Sequence, residues 1–408
     1  MSTLTKFSIP DSLIAAFEQQ LNKTDHQLQS FSKLEEKGFP GKKNEEYRFT
    51  PVTGVLEKIL AAEFEINSGK ASAKVNTIDE DAFLILINNG KIESTIQLPE
   101  GIQLANSEIE GQSDPFGMVN EMFRRATLSL TISGKVQPVI HLHHFSSAID
   151  RSSINLSAIR IDVQPGAACT IIETFSQEGD KQHFSAPVLQ MNVSEKSVCH
   201  YIRLQQCGGH WSQVYNSTIR QRAESTVHAF VLTTDGLIVR NNFVLEIDGE
   251  GAEGNLMGLY LLNGKTLADN HTVVDHRVPN ANSNELFKGV MQGNSKGVFN
   301  GKIFVRQDAQ KTNAFQSNRN IILSESASVN TKPQLEIWAD DVKCSHGCTT
   351  GQLDEGALFY LQSRGIDKPS AQSMLLDAFA GEVTEKIQSE KIKNFVSQLV
   401  REKIAALK

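Results

Sequence analysis

The fold is decided by one stretch in the middle of the chain, Asp235-Gly-Leu-Ile-Val-Arg-Asn-Asn-Phe-Val-Leu-Glu-Ile-Asp-Gly-Glu-Gly-Ala-Glu-Gly-Asn-Leu-Met-Gly-Leu-Tyr-Leu-Leu-Asn-Gly264. Its Asp-Gly and Asn-Gly pairs are typical of tight turns, because glycine adopts backbone angles that other residues avoid. The runs between these pairs are short and apolar, which favours strands. Gly236, Gly249 and Gly264 follow one another at similar intervals, so strands recur at a nearly regular step.

The same pattern extends from about residue 128 to 350. Its short runs include Val139-Ile-His-Leu142, Thr170-Ile-Ile172, Val188-Leu-Gln-Met-Asn-Val193 and Phe230-Val-Leu232, and its further turn signals are Pro165-Gly166 and Asn300-Gly301. So long a β region exceeds one sandwich, whereas the stacked turns of a β-helix bury a continuous core at any length. We therefore expect a β-helix, and two packed sandwiches stay open as the alternative.

Asparagines recur through this region and suit inward polar ladders at the corners of the turns. They are Asn241, Asn242, Asn270, Asn300, Asn318, Asn320 and Asn330.

Both flanks of the β region have helical periodicity. In residues 10–37, Leu13, Ile14, Phe17 and Leu21 recur at helical spacing, and Pro115–Arg124 predicts one more helix. After Gly351, three helices are expected. The first ends at Gly365, the second has Ala371, Met374, Leu375, Ala378 and Phe379 on one face, and the third carries Ile392, Phe395, Val396, Leu399, Val400, Ile404 and Leu407.

These boundaries predict a mainly β protein in three parts. Residues 1–127 form a helical and mixed α/β domain, residues 128–350 the β core, and residues 351–408 a helical domain. The C-terminal helices are too few to enclose a core, so their apolar faces must contact the β region, each other or a partner.

Composition excludes several classes of protein. The chain is 39% hydrophobic and 21% charged, which is typical of globular proteins. The net charge of −7, without a long basic run, argues against nucleic-acid binding. The N-terminus Met1–Pro10 lacks signal-peptide features, and the apolar run Ala82–Ile87 is too short for a bilayer, so we expect a cytoplasmic protein with reduced cysteines.

Five other motifs are better explained by structure than by chemistry. Gly258-Leu-Tyr-Leu-Leu-Asn-Gly-Lys-Thr266 has more residues than a P-loop between its first glycine and the Gly-Lys-Thr end, and most of them are bulky. It therefore predicts a strand entering an Asn-Gly turn rather than an ATP site. The motifs Asp269-Asn-His271 and Asp275-His276 suit structural hydrogen bonds better than a metal site or acid-base catalysis. Cys199-His200 and Cys207-Gly-Gly-His210 lack the second half that zinc sites have.

The strongest chemical constellation is Cys344, His346 and Cys348. On a strand, alternate residues share one face, so three ligands suited to iron, zinc or an iron-sulfur cluster point the same way. Alternate positions lie roughly 6.5 to 7 Å apart, which is too far for one closed metal site on this strand alone. Either the chain turns at Gly347, or a residue contributes to a site shared with another surface; a free thiol and a packed histidine are the alternative.

The region 275–380 closely resembles the shared core of the SufB and SufD family of iron-sulfur cluster assembly proteins. The resemblance rests on many motifs in the same order: Val274-Asp-His-Arg-Val-Pro-Asn280, Glu285-Leu-Phe-Lys-Gly289, Gly297-Val-Phe-Asn-Gly-Lys-Ile303, Asp308-Ala-Gln-Lys-Thr312, Thr331-Lys-Pro-Gln-Leu-Glu-Ile337, Ala339-Asp-Asp-Val-Lys-Cys-Ser-His-Gly347 and Leu358-Phe-Tyr-Leu-Gln-Ser-Arg-Gly-Ile366. Asp341–Gly347 and Asn44-Glu-Glu-Tyr-Arg-Phe-Thr-Pro51 are similar to the SufD branch, whereas SufB carries a Glu-His-Glu-Ala type sequence at the first of these places.

The resemblance implies a right-handed parallel β-helix between N-terminal and C-terminal helical domains. It implies a complex in which the chain pairs with SufB through the β-helix and holds the ATPase SufC through its C-terminal helices. By the same resemblance, the residues expected to contact SufC are Leu358, Phe359, Tyr360, Arg364, Met374, Leu375 and Phe379. ATP hydrolysis would then belong to SufC, and this chain would be a non-catalytic scaffold without an ATP site.

In the family, a nascent iron-sulfur cluster is thought to form between SufB and SufD, with a SufD histidine among its ligands. His346 is the matching position, and Cys344 matches the family's cysteine. Cys348 departs from the usual alanine, so its role as a third ligand is open. The alternatives are a SufB-type paralogue, a structural platform without cluster ligands, and a polysaccharide-acting enzyme, against which the missing export signal counts.

Overall fold

The computed structural model describes residues 7–41, 43–68, 78, 81–93, 98–105, 107–109 and 111–407. The first six residues, on which the expectation of no signal peptide partly rests, lie outside this part. Within it, none of the helices is both long and apolar enough to cross a membrane.

Strands dominate the described chain. Their bounds are β1 (Phe64–Ile66), β2 (Phe83–Asn88), β3 (Lys91–Glu93), β4 (Ile102–Leu104), β5 (Thr127–Ile132), β6 (Ile140–Ser147), β7 (Ser152–Asn155), β8 (Ala158–Val163), β9 (Ala168–Glu178), β10 (His183–Ser185), β11 (Val188–Val193), β12 (Val198–Gln206), β13 (Trp211–Gln221), β14 (Thr226–Asp235), β15 (Ile238–Ile247), β16 (Glu253–Leu262), β17 (Leu267–His276), β18 (Asn282–Met291), β19 (Lys296–Val305), β20 (Asn313–Ile322), β21 (Ser328–Ile337) and β22 (Lys343–Gly351).

The strands alternate between two sheets. The first has the order β21-β19-β17-β15-β13-β11-β8-β5-β4, and the second has the order β22-β20-β18-β16-β14-β12-β9-β6-β2-β3. Pairing is parallel throughout the long run of turns, and antiparallel pairs occur at β2–β3 and β4–β5. The fold is therefore a parallel β-solenoid of about eight turns, which confirms the expected β-helix and excludes the two sandwiches.

Each turn of the solenoid lies in register on the turn before it. Asn282 pairs with Asn313 of the next turn, and Asn313 pairs in the same way with Lys343 of the turn after that. Apolar side chains from both sheets fill the interior as one continuous core, among them Phe287 and Phe299. Strands before residue 128 also join the two sheets, since β2 pairs with β6 and β4 pairs with β5; the predicted boundary at 127 stays a prediction.

Polar ladders are present, but they lie within strands rather than at the corners. Asn241 and Asn270 are neighbours on β15 and β17, and the Asn241 amide donates to Asn270 Oδ1 at 3.1 Å. Stacking in register places like residues side by side, so each can satisfy the next. The predicted corner positions were therefore wrong, although the ladder itself is confirmed for this pair.

Turn glycines confirm most of the predicted turns. Gly166, Gly236 and Gly264 have φ angles of +71°, +130° and +60°. Asn300-Gly301 was wrongly predicted as a turn, because both residues lie inside β19. A Cβ atom at Gly301 would overlap the Gln316 amide and the Phe299 ring inside the solenoid, so this glycine allows close packing instead of a turn.

Helices cover the outer faces of both sheets. Their bounds are α1 (Asp11–Glu18), α2 (Asp25–Lys37), α3 (Val52–Leu60), α4 (Pro115–Phe123), α5 (Glu355–Ser363), α6 (Lys368–Thr384) and α7 (Glu390–Ala406), with a 3-10 turn at Glu45–Tyr47. The N-terminal helices pack through Phe116 and Leu56 against Phe184, Val214 and Ile238 of the first sheet. Helices α6 and α7 pack against Phe230, Leu259 and other residues of the second sheet.

Helix α7 buries Ile392, Val396, Val400 and Ile404, as predicted, but α6 buries a different face from the one predicted. Helix α6 buries Leu376, Ala380 and Val383 together with Ala371, whereas Met374 and Ala378 are exposed. The reason is that α6 contacts both α7 and the second sheet, so tertiary contacts rather than sequence periodicity choose the buried face. In the N-terminal region, Leu21 was likewise expected on the packed face and is exposed.

Gly258 offers a test of the packing inside the solenoid. A Cβ atom there would overlap the buried Phe287 ring, so we expect Gly258→Ala to lower the free energy of unfolding by about 1–3 kcal/mol. Gly347→Ala is the matched control, because nothing lies within 4 Å of the added atom. Urea unfolding of both variants measures the difference, and an equal stability for the two would contradict the packing.

Candidate functional site

The predicted ligands lie on β22, the last strand of the second sheet. It pairs with β20 on one side, and in the described chain no strand pairs with its other edge. Cys344 packs against the core between the sheets, and Cys348 Sγ lies 3.0 Å from Thr331 Oγ1 on β21. The face that carries Cys344, His346 and Cys348 therefore points into the open end of the solenoid.

The three side chains differ in exposure. Cys344 is half-buried, and burial raises the pKa of its thiol, which favours the protonated form. His346 and Cys348 are exposed, because no further turn of the described chain covers β22. The terminal position thus makes an interior face of the solenoid accessible to a second molecule.

A polar layer lies directly beneath these residues, one turn deeper. On β20, Ala314 pairs with Cys344, Gln316 with His346, and Asn318 with Cys348. The Asn318 amide donates to the hydroxyl of the buried Tyr260 at 3.2 Å, and Cys348 Sγ lies 3.9 Å from Asn318 Oδ1.

One further turn back, Glu285 on β18 pairs with Gln316. The Gln316 amide donates to Glu285 Oε2 at 2.6 Å. Burial raises the pKa of Glu285 to about 7, although hydrogen bonds to the carboxylate lower it. A carboxyl group with a displaced pKa therefore lies two turns behind His346.

The donor set fits an iron-sulfur cluster better than a closed metal site. Thiolates and imidazole are the side chains that hold such clusters. Within the described ranges, no three His, Cys, Asp or Glu side chains are arranged to hold a metal ion. The chain itself stays straight at Gly347, which lies inside β22, so the site does not close by a turn there.

The other motifs considered in the sequence are engaged in structural contacts. Asp269 is buried beside Arg240 at 2.6 Å, and His271 contacts both Asp269 and Glu46. His276 bonds to Ser283 across the solenoid at 2.8 Å.

The two Cys-His motifs are also part of the packing. Cys199 and Cys207 are buried in the core. The neighbouring Cys169 thiol, together with burial, raises the pKa of Cys199 well above its ordinary value, and burial does the same for the pKa of Cys207. His200 stacks on His228 with ring centroids 5.0 Å apart.

Most of the residues that are expected to contact SufC lie at the surface. Phe359 is 73% exposed and Tyr360 57%, and helix α5, which carries them, has no buried residue. Met374 is exposed, Arg364 lies over the Tyr360 ring, and Leu358 and Leu375 are half-buried. Phe379 instead packs toward the solenoid, where Lys288 Nζ lies 4.2 Å from its ring centroid.

The sequence motifs did not point to the residues behind His346. Glu285 was quoted only within the family motif Glu285–Gly289, and Gln316 in no motif, yet both occupy the same row of the solenoid as His346. The signal that could have found them is the length of one turn. Counting back by one turn from His346 reaches Gln316, and a second turn reaches Glu285.

The displaced pKa of Glu285 predicts a pH-dependent stability. A carboxyl group whose pKa is about 7 in the folded chain and 4.5 otherwise stabilises the fold below pH 4.5, and this contribution is lost as the pH rises to 7. The side chain in Glu285→Gln does not titrate. The free energy of unfolding of this variant relative to wild type should therefore rise by about 3 kcal/mol between pH 4.5 and pH 8. Urea unfolding at pH 4.5 and pH 8 measures this, and a pH-independent difference would argue against a buried acid.

Comparisons with known proteins agree with this architecture. A family model described as "SUF system FeS cluster assembly, SufBD core domain" matches residues 145–379, more of the chain than the motifs alone indicated. The chain is 30% identical to the iron-sulfur cluster assembly protein SufD of Escherichia coli over 93% of both chains. It is 28% identical to a SufBD family protein of Synechocystis over 88% of this chain and 86% of the relative, and 29% identical to chloroplastic ABCI7 of Arabidopsis thaliana over 95% and 87%. The chain therefore belongs to the SufBD family of iron-sulfur cluster assembly proteins and is of the SufD type.

Proposed function

We propose that this chain is a non-catalytic scaffold subunit that pairs with SufB, binds the ATPase SufC, and presents His346 to an iron-sulfur cluster formed between the subunits. The observation that carries the proposal is the position of Cys344, His346 and Cys348 on the terminal strand β22. The cluster is the cargo of the assembly, and His346 supplies one ligand to it, with Cys344 and Cys348 as further candidates.

Pairing through the end of the solenoid is supported by its free edges. Strands β21 and β22 each pair on one side only within the described chain, so each offers backbone groups to a partner strand. Apolar side chains at this end, Phe315, Ile337 and Trp338, are also exposed. A partner with a similar solenoid end would extend both sheets and cover these residues.

SufC binding through the C-terminal helices is supported by α5. Its aromatic side chains Phe359 and Tyr360 are exposed, and aromatic anchors of this kind dominate protein interfaces. Helix α6 connects this surface to the solenoid, because Glu382 contacts Lys288 on β18 at 2.8 Å and Arg319 on β20 at 3.1 Å. Movement of the helices by ATP-driven SufC dimerisation would thus reach the last turns as a rigid body. A cytoplasmic location is part of the same proposal.

Replacing His346 tests the cluster ligand. We expect the His346→Ala complex with SufB and SufC to assemble normally but to carry less iron and sulfide after anaerobic purification, because one ligand is lost. Ser345→Ala is the control, since Ser345 is exposed on the same strand and faces the opposite side. Equal cluster content in the two variants would favour the rival hypothesis, a structural platform without cluster ligands.

Replacing Phe359 tests the SufC contact. Truncating an aromatic anchor costs about 2 kcal/mol or more, so we expect Phe359→Ala to weaken SufC binding at least about tenfold. Gln362→Ala, another exposed position on α5, should leave the affinity unchanged. Calorimetry with purified SufC measures both, and an unchanged affinity for Phe359→Ala would place the SufC contact elsewhere.

A further inference from the structure

Glu285, Gln316 and His346 form a row on three neighbouring strands, which runs from the solenoid interior to its open end. Glu285 on β18 pairs with Gln316 on β20, and Gln316 pairs with His346 on β22. All three lie on the inward face of their strands, because side chains alternate and Cys344 and Cys348 on either side of His346 point inward. The row therefore joins a carboxyl group, an amide and an imidazole.

In the described chain, the side-chain amide nitrogen of Gln316 is hydrogen-bonded, whereas its carbonyl oxygen has no partner. Gln316 is 3% exposed, and its nitrogen donates to Glu285 Oε2 at 2.6 Å. This bond directs the amide nitrogen toward β18. The carbonyl oxygen, Gln316 Oε1, is buried and accepts no hydrogen bond in the described chain. An unpaired buried acceptor destabilises the folded chain, so a donor at this place would stabilise it.

His346 is the neighbouring side chain that offers such a donor. Paired strands lie about 4.8 Å apart, so neighbouring side chains in register come within hydrogen-bond reach by rotation about their side-chain torsions. On either side, Cys344 packs against the core and Cys348 contacts Thr331. A neutral imidazole has one N–H to donate and one nitrogen with a free lone pair.

We propose that Glu285 and Gln316 are positioning residues for His346. Gln316 Oε1 accepts the N–H of the His346 ring, and Glu285 holds the amide in the orientation that makes this bond. The ring is thereby kept in one tautomer, with its other nitrogen free to bind a ligand at the open end. Such a second layer of hydrogen bonds orients histidines in many metal sites. The ligand-binding part rests on the proposed function, whereas the hydrogen-bonded row does not.

The tautomer of His346 can be measured by ¹⁵N nuclear magnetic resonance on the full-length, cluster-free chain with labelled histidine at pH 8. The signals of His346 are assigned by their loss in His346→Ala. In the wild-type chain we expect one ring nitrogen with a protonated shift and one with an unprotonated shift. In Gln316→Met, which keeps the length of the side chain without the acceptor, the two shifts should move toward each other as the tautomers mix.

Two further variants separate positioning from packing. Glu285→Gln keeps an acceptor for the Gln316 amide and should keep the wild-type shifts, whereas Glu285→Met should mix the tautomers. Ser317→Ala, half-buried on the outward face of β20, is the control and should change nothing. If Gln316→Met does not fold, Gln316→Asn replaces it, because the shorter amide cannot span both neighbours and should also mix the tautomers.

Unchanged His346 shifts in a folded Gln316 variant would overturn the positioning role. This outcome is independent of the cluster assay, because the tautomer is read in the isolated chain without SufB or cluster. Normal cluster content in His346→Ala would instead refute the proposed ligand and leave the hydrogen-bonded row in place.

Discussion

The stacking of parallel strands in register is the interaction on which the rest of this structure depends. Every turn satisfies the backbone groups of the turn before it and covers its interior, and successive turns repeat this arrangement. A solenoid of this kind has no intrinsic end, so its last turn leaves one backbone edge and one interior face uncovered. Strand β22 occupies this position, which explains why His346 and Cys348 are exposed although they lie on an interior face.

The same stacking makes a polar interior stable away from the end. Glu173 and Arg203 are both fully buried, and their side chains meet at 3.3 Å, with hydrogen bonds from Tyr215 to Glu173 and from Arg203 to Ser217. Although burial raises the pKa of Glu173, His144 and Arg203 lower it to about 2, so the carboxylate stays charged. A buried charge is tolerated when partners satisfy it on all sides, and neighbouring turns supply such partners at fixed spacing. Glu285 lacks this compensation, since none of the groups in the described chain that shift its pKa is a cation.

The sequence allowed the class of fold to be predicted because turn glycines and apolar runs are local signals. The positions of strand interiors were harder, and Asn300-Gly301 illustrates why: a dipeptide typical of turns lies in β19 because Gln316 and Phe299 leave no room for a side chain. The face of the site was predictable from the alternation of Cys344, His346 and Cys348. Gln316 and Glu285 were not predictable, because their alignment with His346 can be recognised only when the length of each turn is known. The buried face of α6 was missed for a similar reason, since contacts with α7 and the second sheet select it.

The geometry of β22 also explains why a solenoid end suits an assembly site. Alternate side chains on one strand lie roughly 6.5 to 7 Å apart, so Cys344, His346 and Cys348 cannot close around a single ion, yet they can line one side of a larger cluster. If these side chains bind the cluster as proposed, a second surface is needed to supply its remaining ligands. Under the proposed pairing with SufB, strands added to the free edges of β21 and β22 would bring such a surface to the same place. In that proposal, the backbone pairing that holds the subunits together would also complete the ligand set of the cluster.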